Sequence, residues 1–250
     1  MTLRLLPVCL LLAALAVPAA ASAAEPLPLR ELGDRSPLGD ERLSNERTLT
    51  RWAHTNLIGK IRTKPSESGR TIAKLRWNTE DDLPEVYIVL QSRLDDEERV
   101  WLQIRIPGRP NGRTGWVREE HLSNLKAVET HLTIDRGTFR ATLRKRGKKI
   151  WTSRIGVGAP GTITPKGRFW IRERLRNLGG NPIYGPWAFG TSAYSDTLTD
   201  WPGGGVVGIH GTNQPQLIPG RPSHGCVRVP NAKISRLVKL MPIGTPITIR

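Results

Sequence analysis

One cysteine and two histidines lie close together near the end of the chain. Residues 221–231 read RPSHGCVRVPN and contain Cys226, with His224 two residues before it and His210 sixteen residues before it. A thiolate is a strong nucleophile, but a cysteine with the ordinary pKa of about 8.5 is only a few per cent ionised near neutral pH. It therefore needs a base. His210 is the better candidate, because His224 must share a short turn with the thiol.

The residues that flank the thiol favour the same chemistry. Gly225 has no Cβ and allows a tight turn, so that the backbone amides of Gly225 and Cys226 can point at one developing oxyanion. Arg228 supplies a fixed positive charge, which suits a carboxylate or a thiolate. A buried structural cysteine is one alternative. Zinc bound by the cysteine and both histidines is another, which we disfavour because no acidic residue lies near the histidines to orient a water.

Apolar and polar residues alternate through much of the C-terminal half. This period is typical of half-buried β-strands, and it occurs in residues 132–135, 139–144 and 151–157. Residues 207–211 (VGIHG) look like the end of a strand that opens into a loop, where a histidine can project into a cleft. A last strand is expected at 247–249. The site is therefore predicted to lie in a mostly β domain.

One helix is predicted directly after the thiol segment. Apolar residues from 234 to 241 follow the spacing of one helix face, Asn231 is placed to cap the start, and Pro242 marks the end. Before the thiol, residues 177–205 are rich in Gly, Pro and aromatic residues and show no steady period. Such a segment is typical of a functional loop or lid.

The N-terminal half contains short β-type runs at 85–90, 100–106 and 114–117, separated by turn signals. Several short strands within about 70 residues indicate a small barrel. Residues 25–50 are charged, contain three prolines and lack aromatic residues, so we interpret them as a flexible spacer. The predicted domains are therefore residues 51–125 and 128–250.

The first 24 residues have the pattern of a secretory signal peptide. Arg4 precedes a largely apolar block at residues 5–17, and small residues follow it. The block is shorter than the roughly 20 residues that span a bilayer. Cleavage near residue 24 would remove Cys9 and leave Cys226 without an internal disulfide partner. We expect an exported protein of the periplasm or cell wall, with no membrane span in the mature chain.

The positive charge of the chain is concentrated in its C-terminal half. The formal net charge is +16; residues 25–129 contain 18 basic and 18 acidic residues, whereas residues 130–250 contain 19 basic and 4 acidic residues. Outside a cell the available polyanions are chiefly wall polymers and phospholipid head groups, which makes nucleic acid an unfavoured partner. Anionic wall polymers are the expected partners of this basic half.

The pattern of these residues resembles the signature of a known family. His210-Gly211, the segment 223–228 (SHGCVR) and Asn231 are similar to the signature of the YkuD-type L,D-transpeptidases, and residues 164–167 (TPKG) are similar to the Thr-Pro-x-Gly turn of that family. The resemblance spans about residues 128–250. The order of the earlier strands resembles a bacterial SH3-type domain.

The resemblance implies a β-sandwich catalytic domain with a short C-terminal helix, preceded by a small SH3-like barrel. Cys226 would attack a tetrapeptide stem of peptidoglycan between its third, diamino-acid residue and the terminal D-alanine, which would leave. An amine of a neighbouring stem would then resolve the thioester into a 3→3 cross-link. His210 would move the proton, with the Gly211 carbonyl as its orienting group and His224 shaping the site. No metal or cofactor is implied, and a monomer is expected.

Substrate contacts are expected from Ser223, Arg228 and Asn231. Pro230, directly before Asn231, and glycine at 211, where some members have serine, depart from the family pattern without removing a side chain that the mechanism needs. An L,D-carboxypeptidase, in which water resolves the thioester, stays open as an alternative. So does a wall-binding protein without activity. A papain-like wall peptidase is disfavoured, because its cysteine usually precedes its histidine.

Overall fold

The computed structural model describes residues 27–34, 36–199 and 204–250. The predicted signal peptide lies outside the described residues. In the N-terminal half one sheet contains β1 Glu41–Arg42, β2 Thr50–Ala53, β3 Lys60–Arg62, β4 Thr71–Lys74, β5 Tyr87–Leu94, β6 Val100–Arg105, β7 Thr114–Arg118 and β8 Lys126–Val128. The strand order is β4-β3-β7-β6-β5-β2-β8, with β1 beside β5.

The three short runs read from the sequence form the centre of this sheet. They correspond to β5, β6 and β7, which pair in antiparallel order. Leu102, Ile104 and Val117 are fully buried in its core, because alternate residues of a strand point to the same face. The described residues thus form a sheet where a small barrel was expected, and the SH3-like assignment stays a prediction.

The prediction of a flexible spacer at residues 25–50 is wrong for the described part of that segment. Leu43 is fully buried in the core of the sheet. The Arg51 guanidinium donates to the carbonyl oxygens of Arg30 and Leu43 at 3.1 and 2.8 Å, and Arg30 pairs with Glu41 at 2.5 Å. Several of the charges that suggested a solvated linker form hydrogen bonds or ion pairs in the fold. A few buried apolar residues then attach the segment to the N-terminal sheet.

The C-terminal half forms two further sheets and, among the described residues, the only α-helix. Its elements are β9 Thr130–Asp135, β10 Arg140–Lys145, β11 Lys148–Arg154, β12 Gly156–Gly158, β13 Gly167–Trp170, β14 Leu175–Arg176, β15 Trp187–Tyr194, β16 Val206–His210, β17 Gly220–Ser223, β18 Val227–Arg228, α1 Asn231–Leu240 and β19 Pro246–Ile249. One sheet has the order β11-β10-β9-β19-β13, and the other β14-β15-β16-β18-β12-β17. The predicted mostly β fold with a C-terminal helix is confirmed. Short 3₁₀ turns occur at Glu119–His121, Leu178–Gly180, Pro182–Tyr184 and Pro215–Leu217.

A single hydrophobic core lies between the two C-terminal sheets. Leu132 of β9, Phe189 of β15 and Ile209 of β16 meet there, and Ile234 and Leu237 of α1 complete it. These side chains are at most 2% exposed. Sandwich packing of this kind fixes the second sheet, whose strands β16 and β18 carry the candidate site. Within the described residues no helix is long and apolar enough to cross a membrane.

Two local predictions need correction. Residues 187–194 were expected in an irregular segment but form β15, in which every residue after Trp187 is buried. A strand buried on both faces shows no alternation, so its period carries no signal. At the helix start Pro230 occupies the cap position without a side-chain cap bond, and Asn231 is the first helical residue.

The two halves of the chain are joined by buried contacts. Strand β8 pairs with β2, Val128 opposite Thr50, so Val128 belongs to the N-terminal sheet and not to the second domain. Arg172 donates to both carboxylate oxygens of Glu85 at 2.7 Å, and both side chains are at most 1% exposed. Breaking a buried ion pair by removing one partner is costly. The N-terminal sheet is therefore an integral neighbour of the candidate site.

Candidate active site

Parallel pairing of β16 with β18 brings the thiol and the histidine together. Ile209 lies opposite Val227, and His210 opposite Arg228. By the same register Cys226 lies opposite Gly208, whose backbone amide donates to Sγ over 3.4 Å. The fifteen residues between His210 and Cys226 form the crossover between two adjacent strands. The sequence separation thus becomes a short distance in space.

The turn that presents Cys226 is fixed by two buried hydroxyls. Gly225 has φ +124°, a conformation that L side chains rarely adopt. The hydroxyl of Thr164 donates to the Gly225 carbonyl at 2.7 Å, and that of Ser223 to the Cys226 carbonyl at 2.5 Å. The Gly225 amide in turn donates to the Ser223 hydroxyl at 3.2 Å. Thr164 belongs to the TPKG turn, so that turn acts by holding the segment of the thiol.

The His210 ring is held in one orientation and one tautomer. Its Nδ1 lies 2.6 Å from the Gly211 carbonyl oxygen. Since a carbonyl only accepts, Nδ1 carries the proton in the neutral ring, and Nε2 is left as the acceptor. Tyr184 packs edge-on against the ring, with 5.1 Å between centroids. The imidazole is therefore arranged to take a proton.

Burial keeps both members of the pair neutral at rest. It lowers the pKa of His210 to about 4, with the Arg228 charge adding to the fall and the hydrogen bond to Gly211 opposing it. Burial likewise raises the pKa of the Cys226 thiol, against the Gly208 amide and Arg228, which both lower it. Both shifts favour the uncharged forms. A neutral thiol has to lose its proton during attack, and the neutral His210 ring is the candidate acceptor.

This neutral pair predicts an unusual acid limit for the reaction of Cys226. Protonated His210 cannot accept a proton, so the second-order rate constant should fall only as the pH drops through about 4. A histidine with the ordinary pKa of about 6.5 would lose activity about 2.5 pH units higher. The measurement is the rate of acylation by a neutral acyl donor from pH 3.5 to 8, with circular dichroism at each pH as a control for folding. A half-maximal rate near pH 6.5 would contradict the neutral pair.

Asn231 supports the loop after His210. Its Oδ1 accepts a hydrogen bond from the Thr212 amide at 2.8 Å. A Cβ at position 211 would lie 2.4 Å from the same oxygen and 2.9 Å from the Gly185 Cα. Glycine at 211 is thus required by close packing, which explains the departure from members with serine. The contact seen for Asn231 is a positioning contact.

Two cavities meet at the thiol. The first, of about 200 Å³, is lined by Ser223, His224 and Arg228, and we call it the basic cavity. The second, of about 400 Å³, is lined by Glu80, Asp81 and Glu173, and we call it the acidic cavity. Four residues line both: Tyr184, Val206, His210 and Cys226. A substrate can therefore reach Cys226 from two chemically different sides.

Arg228 lies buried at the basic cavity, with 7% of its surface exposed. Its Nη1 donates to Gln214 at 2.8 Å. Its Nε is buried and has no hydrogen-bond partner among the described residues. A guanidinium with a donor to spare suits an anionic group of a ligand. Among the described residues no group of three or more His, Cys, Asp or Glu side chains is arranged to hold a metal ion.

The part of the chain that contains this site matches a known family. The family model YkuD, which describes the L,D-transpeptidase catalytic domain, matches residues 129–249. Residues 129–249 match the YkuD family, and we call this part of the chain the YkuD domain.

Two curated relatives from Bacillus are similar to the YkuD domain. YkuD of Bacillus subtilis (strain 168), named as a candidate L,D-transpeptidase, is 33% identical over 122 residues, which is 49% of this chain and 66% of the relative. Its Bacillus licheniformis counterpart is 34% identical over 107 residues, 43% of this chain and 57% of the relative. The chain thus spans less than two thirds of either relative's length.

Among solved structures, the catalytic domain of an L,D-transpeptidase from Enterococcus faecium is similar. It is 23% identical, with a TM-score of 0.36, over 48% of this chain and 96% of that one.

The N-terminal sheet reaches into the YkuD domain beside the basic cavity. Arg109 donates through Nε, Nη1 and Nη2 to the carbonyl oxygens of Ser195, Gly204 and Leu198, at 2.9, 3.0 and 3.0 Å. Asn111 bonds both the amide and the carbonyl of Tyr194, at 3.0 and 2.8 Å. Ser195 and Leu198 line the basic cavity, so one wall of the site is held from outside the family domain.

Replacing Arg109 by alanine should impair the YkuD domain without unfolding it. Loss of three hydrogen bonds frees the segment that lines the basic cavity, and small misplacements of substrate-positioning groups cost about ten- to a hundredfold in rate. We expect that loss in kcat/KM for Cys226 acylation. Arg70→Ala removes the same charge from an exposed site on the N-terminal sheet and should have no effect. Equal rates for both variants would contradict the role of Arg109.

Most of the residues singled out from the sequence meet around the thiol. Five of them line the basic cavity: His210, Ser223, His224, Cys226 and Arg228. Gly211 and Gly225 contribute backbone groups, whereas Asn231 acts through the Thr212 amide. Sequence reasoning identified Thr164 only as part of the TPKG turn, without a role at the site, and it missed four other residues, which are Tyr184, Glu173, Arg109 and Asn111. Only Glu173 left a signal, as one of four acidic residues among 19 basic ones in residues 130–250.

Proposed function

We propose that this chain is an exported L,D-transpeptidase that joins peptidoglycan stem peptides through Cys226. The observation that carries the proposal is the pairing of β16 with β18. It sets the thiol opposite Gly208 on the strand that ends at His210, inside a YkuD-family domain. The signature and the signal-like first 24 residues support the substrate and the location.

The first half-reaction forms a thioester. Sγ of Cys226 attacks the carbonyl carbon between the third residue of the stem and its terminal D-alanine, while the thiol proton passes to Nε2 of His210. The tetrahedral intermediate collapses as the C–N bond breaks. His210 returns the proton to the departing amine, and D-alanine leaves. The ring stays oriented throughout by its bond to the Gly211 carbonyl.

The oxyanion of the intermediate needs hydrogen-bond donors. The Gly225 amide already donates to the Ser223 hydroxyl, which weakens its expected part in an oxyanion hole. We assign the Cys226 amide as the first donor. Ser223 and Gly225 then act together by fixing the turn, and His224 shapes the wall of the basic cavity.

Arg228 is assigned to the carboxylate of the terminal D-alanine. It lines the basic cavity and has a buried, unpartnered Nε. A charge-assisted bond at this point aligns the scissile amide with Sγ. The second half-reaction follows when an amine of another stem attacks the thioester. One of its protons passes to His210, and the thiol is restored by that proton when the C–S bond breaks.

The proposal is tested with purified tetrapeptide muropeptide. The full mature chain should release D-alanine and yield a dimer of the mass expected for a 3→3 cross-link. Cys226→Ala should give neither product. Release of the tripeptide alone, with no dimer at any acceptor concentration, would indicate a carboxypeptidase. Unchanged substrate would reject enzymatic activity and favour a wall-binding protein.

A further inference from the structure

Glu173 is a buried carboxylate with an unused oxygen. The residue is 3% exposed, and its Oε1 has no hydrogen-bond partner among the described residues. It lines the acidic cavity together with Cys226 and His210. Burying a carboxylate without a full set of partners is costly. A ligand in the cavity would supply what is missing.

The neighbouring arginine is hydrogen-bonded to other carboxylates, although its charge opposes the rise in the pKa of Glu173. Arg172 directs its guanidinium donors to Glu85 and to Glu80, at 2.7 and 2.9 Å, so these two acids are already paired. Asp81 lines the same cavity from the segment between β4 and β5, has no ion pair among the described residues, and shares a hydrogen bond with the Glu173 carboxyl. The acidic cavity therefore gathers carboxyl groups from both halves of the chain beside a C-terminal half that is strongly basic.

The packing of β15 keeps room for this carboxylate. A Cβ at Gly190 would lie 2.1 Å from Oε2 of Glu173, so any side chain there would displace it. The amide of Glu173 donates to the Gly190 carbonyl at 3.2 Å. Gly190 of β15 therefore fixes both the backbone and the side chain of Glu173. The oxygen without a partner is held in place rather than free to reach solvent.

A metal ion does not fit this cavity well. Within the described residues no three carboxylate, histidine or cysteine groups are close enough to coordinate one. An ammonium needs only one or two carboxylates and no fixed coordination geometry. Of the two cavities that meet at the thiol, one offers Arg228 for an anion and the other offers Glu173 and Asp81 for a cation.

We propose that the acidic cavity is the acceptor subsite, in which Glu173, assisted by Asp81, binds the ammonium group of the attacking stem peptide. This inference rests on the proposed function, because it names the side from which the second substrate reaches the thioester. The N-terminal sheet then contributes a substrate-binding residue to a reaction whose nucleophile lies in the YkuD domain.

The acceptor must lose one proton before its nitrogen can attack. That proton passes from the ammonium to the Glu173 carboxylate, and the second passes to His210 as the C–N bond forms and the C–S bond breaks. Burial raises the pKa of Glu173 to about 7, with the Thr79 hydroxyl opposing the rise and the Asp81 carboxyl adding to it. A carboxyl of this strength exchanges its proton readily near neutral pH.

Binding without turnover is the first test. In the full mature chain carrying Cys226→Ala, a stem tripeptide with a free amine is titrated by calorimetry beside its N-acetylated form. The free amine should bind about tenfold or more tightly. Adding Glu173→Gln should remove that preference, and adding Asp81→Asn should weaken it. Asp96→Asn, an exposed control, should leave it unchanged. Equal affinity of the two peptides would overturn the subsite, whether or not the chain is a transpeptidase.

Turnover is the second test, and it separates the two proposals. With Cys226 intact, Glu173→Gln should raise the acceptor KM about tenfold or more, while the rate of D-alanine release in the first turnover, measured without acceptor, stays within about twofold of the wild type. An unchanged acceptor KM would overturn the subsite alone. Absence of D-alanine release from the wild type would overturn the proposed function instead. Thermal unfolding of Glu173→Gln shows whether the variant is folded, and Asp81→Asn, at an exposed residue, provides the same readout if it is not.

Discussion

Replacing Cys226 by alanine should abolish D-alanine release and acyl-enzyme formation completely. The side chain is the only thiol in the described residues, and in the proposed reaction every covalent step passes through its sulfur. Removal of a half-buried thiol should cost about 1 kcal/mol of stability or less. The measurement is intact mass after incubation with a carbapenem, which should add to the wild type at Cys226 and leave the variant unmodified.

The control for this substitution is Cys226→Ser, which keeps nearly the same shape but carries a far weaker nucleophile. It should bind the carbapenem without a lasting covalent adduct. An adduct of equal yield on Cys226→Ala would show that another residue is the nucleophile and would reject the proposed site. Equal thermal unfolding midpoints for the three proteins would confirm that only the chemistry has changed.

Replacing His210 by glutamine should slow acylation by about 10² to 10⁴, the usual contribution of a general base. The expected loss is large because burial raises the pKa of the Cys226 thiol, so the thiol cannot ionise unaided at neutral pH. The residual rate should therefore climb as the pH rises, since solvent hydroxide then does the work of the imidazole. Stopped-flow measurement of acylation from pH 5 to 10 gives both quantities.

His131→Gln is the matched control for this variant. His131 is partly buried in the same domain, where its Nε2 lies 2.9 Å from the Thr248 hydroxyl, and it does not line either cavity. Its replacement should leave the rate and the pH profile unchanged. A His210→Gln protein with the wild-type rate, or with a rate independent of pH, would show that another group takes the thiol proton.

The chemistry of the site could be predicted from the sequence because it depends on residues that are close together in the chain. Cys226 would have no internal disulfide partner once the predicted signal is removed, and Gly225 beside it marks a turn whose backbone conformation other residues rarely adopt. The helix after the thiol follows one apolar face, and the short strands follow their alternation. These features depend on neighbours in the chain, which a sequence displays directly.

The features that were missed depend on long-range packing. Residues 187–194 lack alternation because both faces of β15 are covered, so their sequence does not indicate a strand. In the sequence Arg109 is one basic residue among many, and only the fold shows that it binds the carbonyls of Ser195, Leu198 and Gly204. The segment after residue 25 looks like a linker by composition, and only the partners of Leu43 and Arg51 show otherwise. Such long-range contacts produce no periodic pattern in the sequence.

The central claim is that Cys226 takes the acyl group of a stem peptide. The most direct measurement is the intact mass of the wild-type chain, quenched shortly after mixing with a tetrapeptide donor and no acceptor, followed by peptide mapping. The account predicts an added mass equal to the donor minus D-alanine, located on the peptide that contains Cys226, with an equal amount of free D-alanine. D-alanine released without this adduct at any time point, or an adduct on another residue, would contradict it.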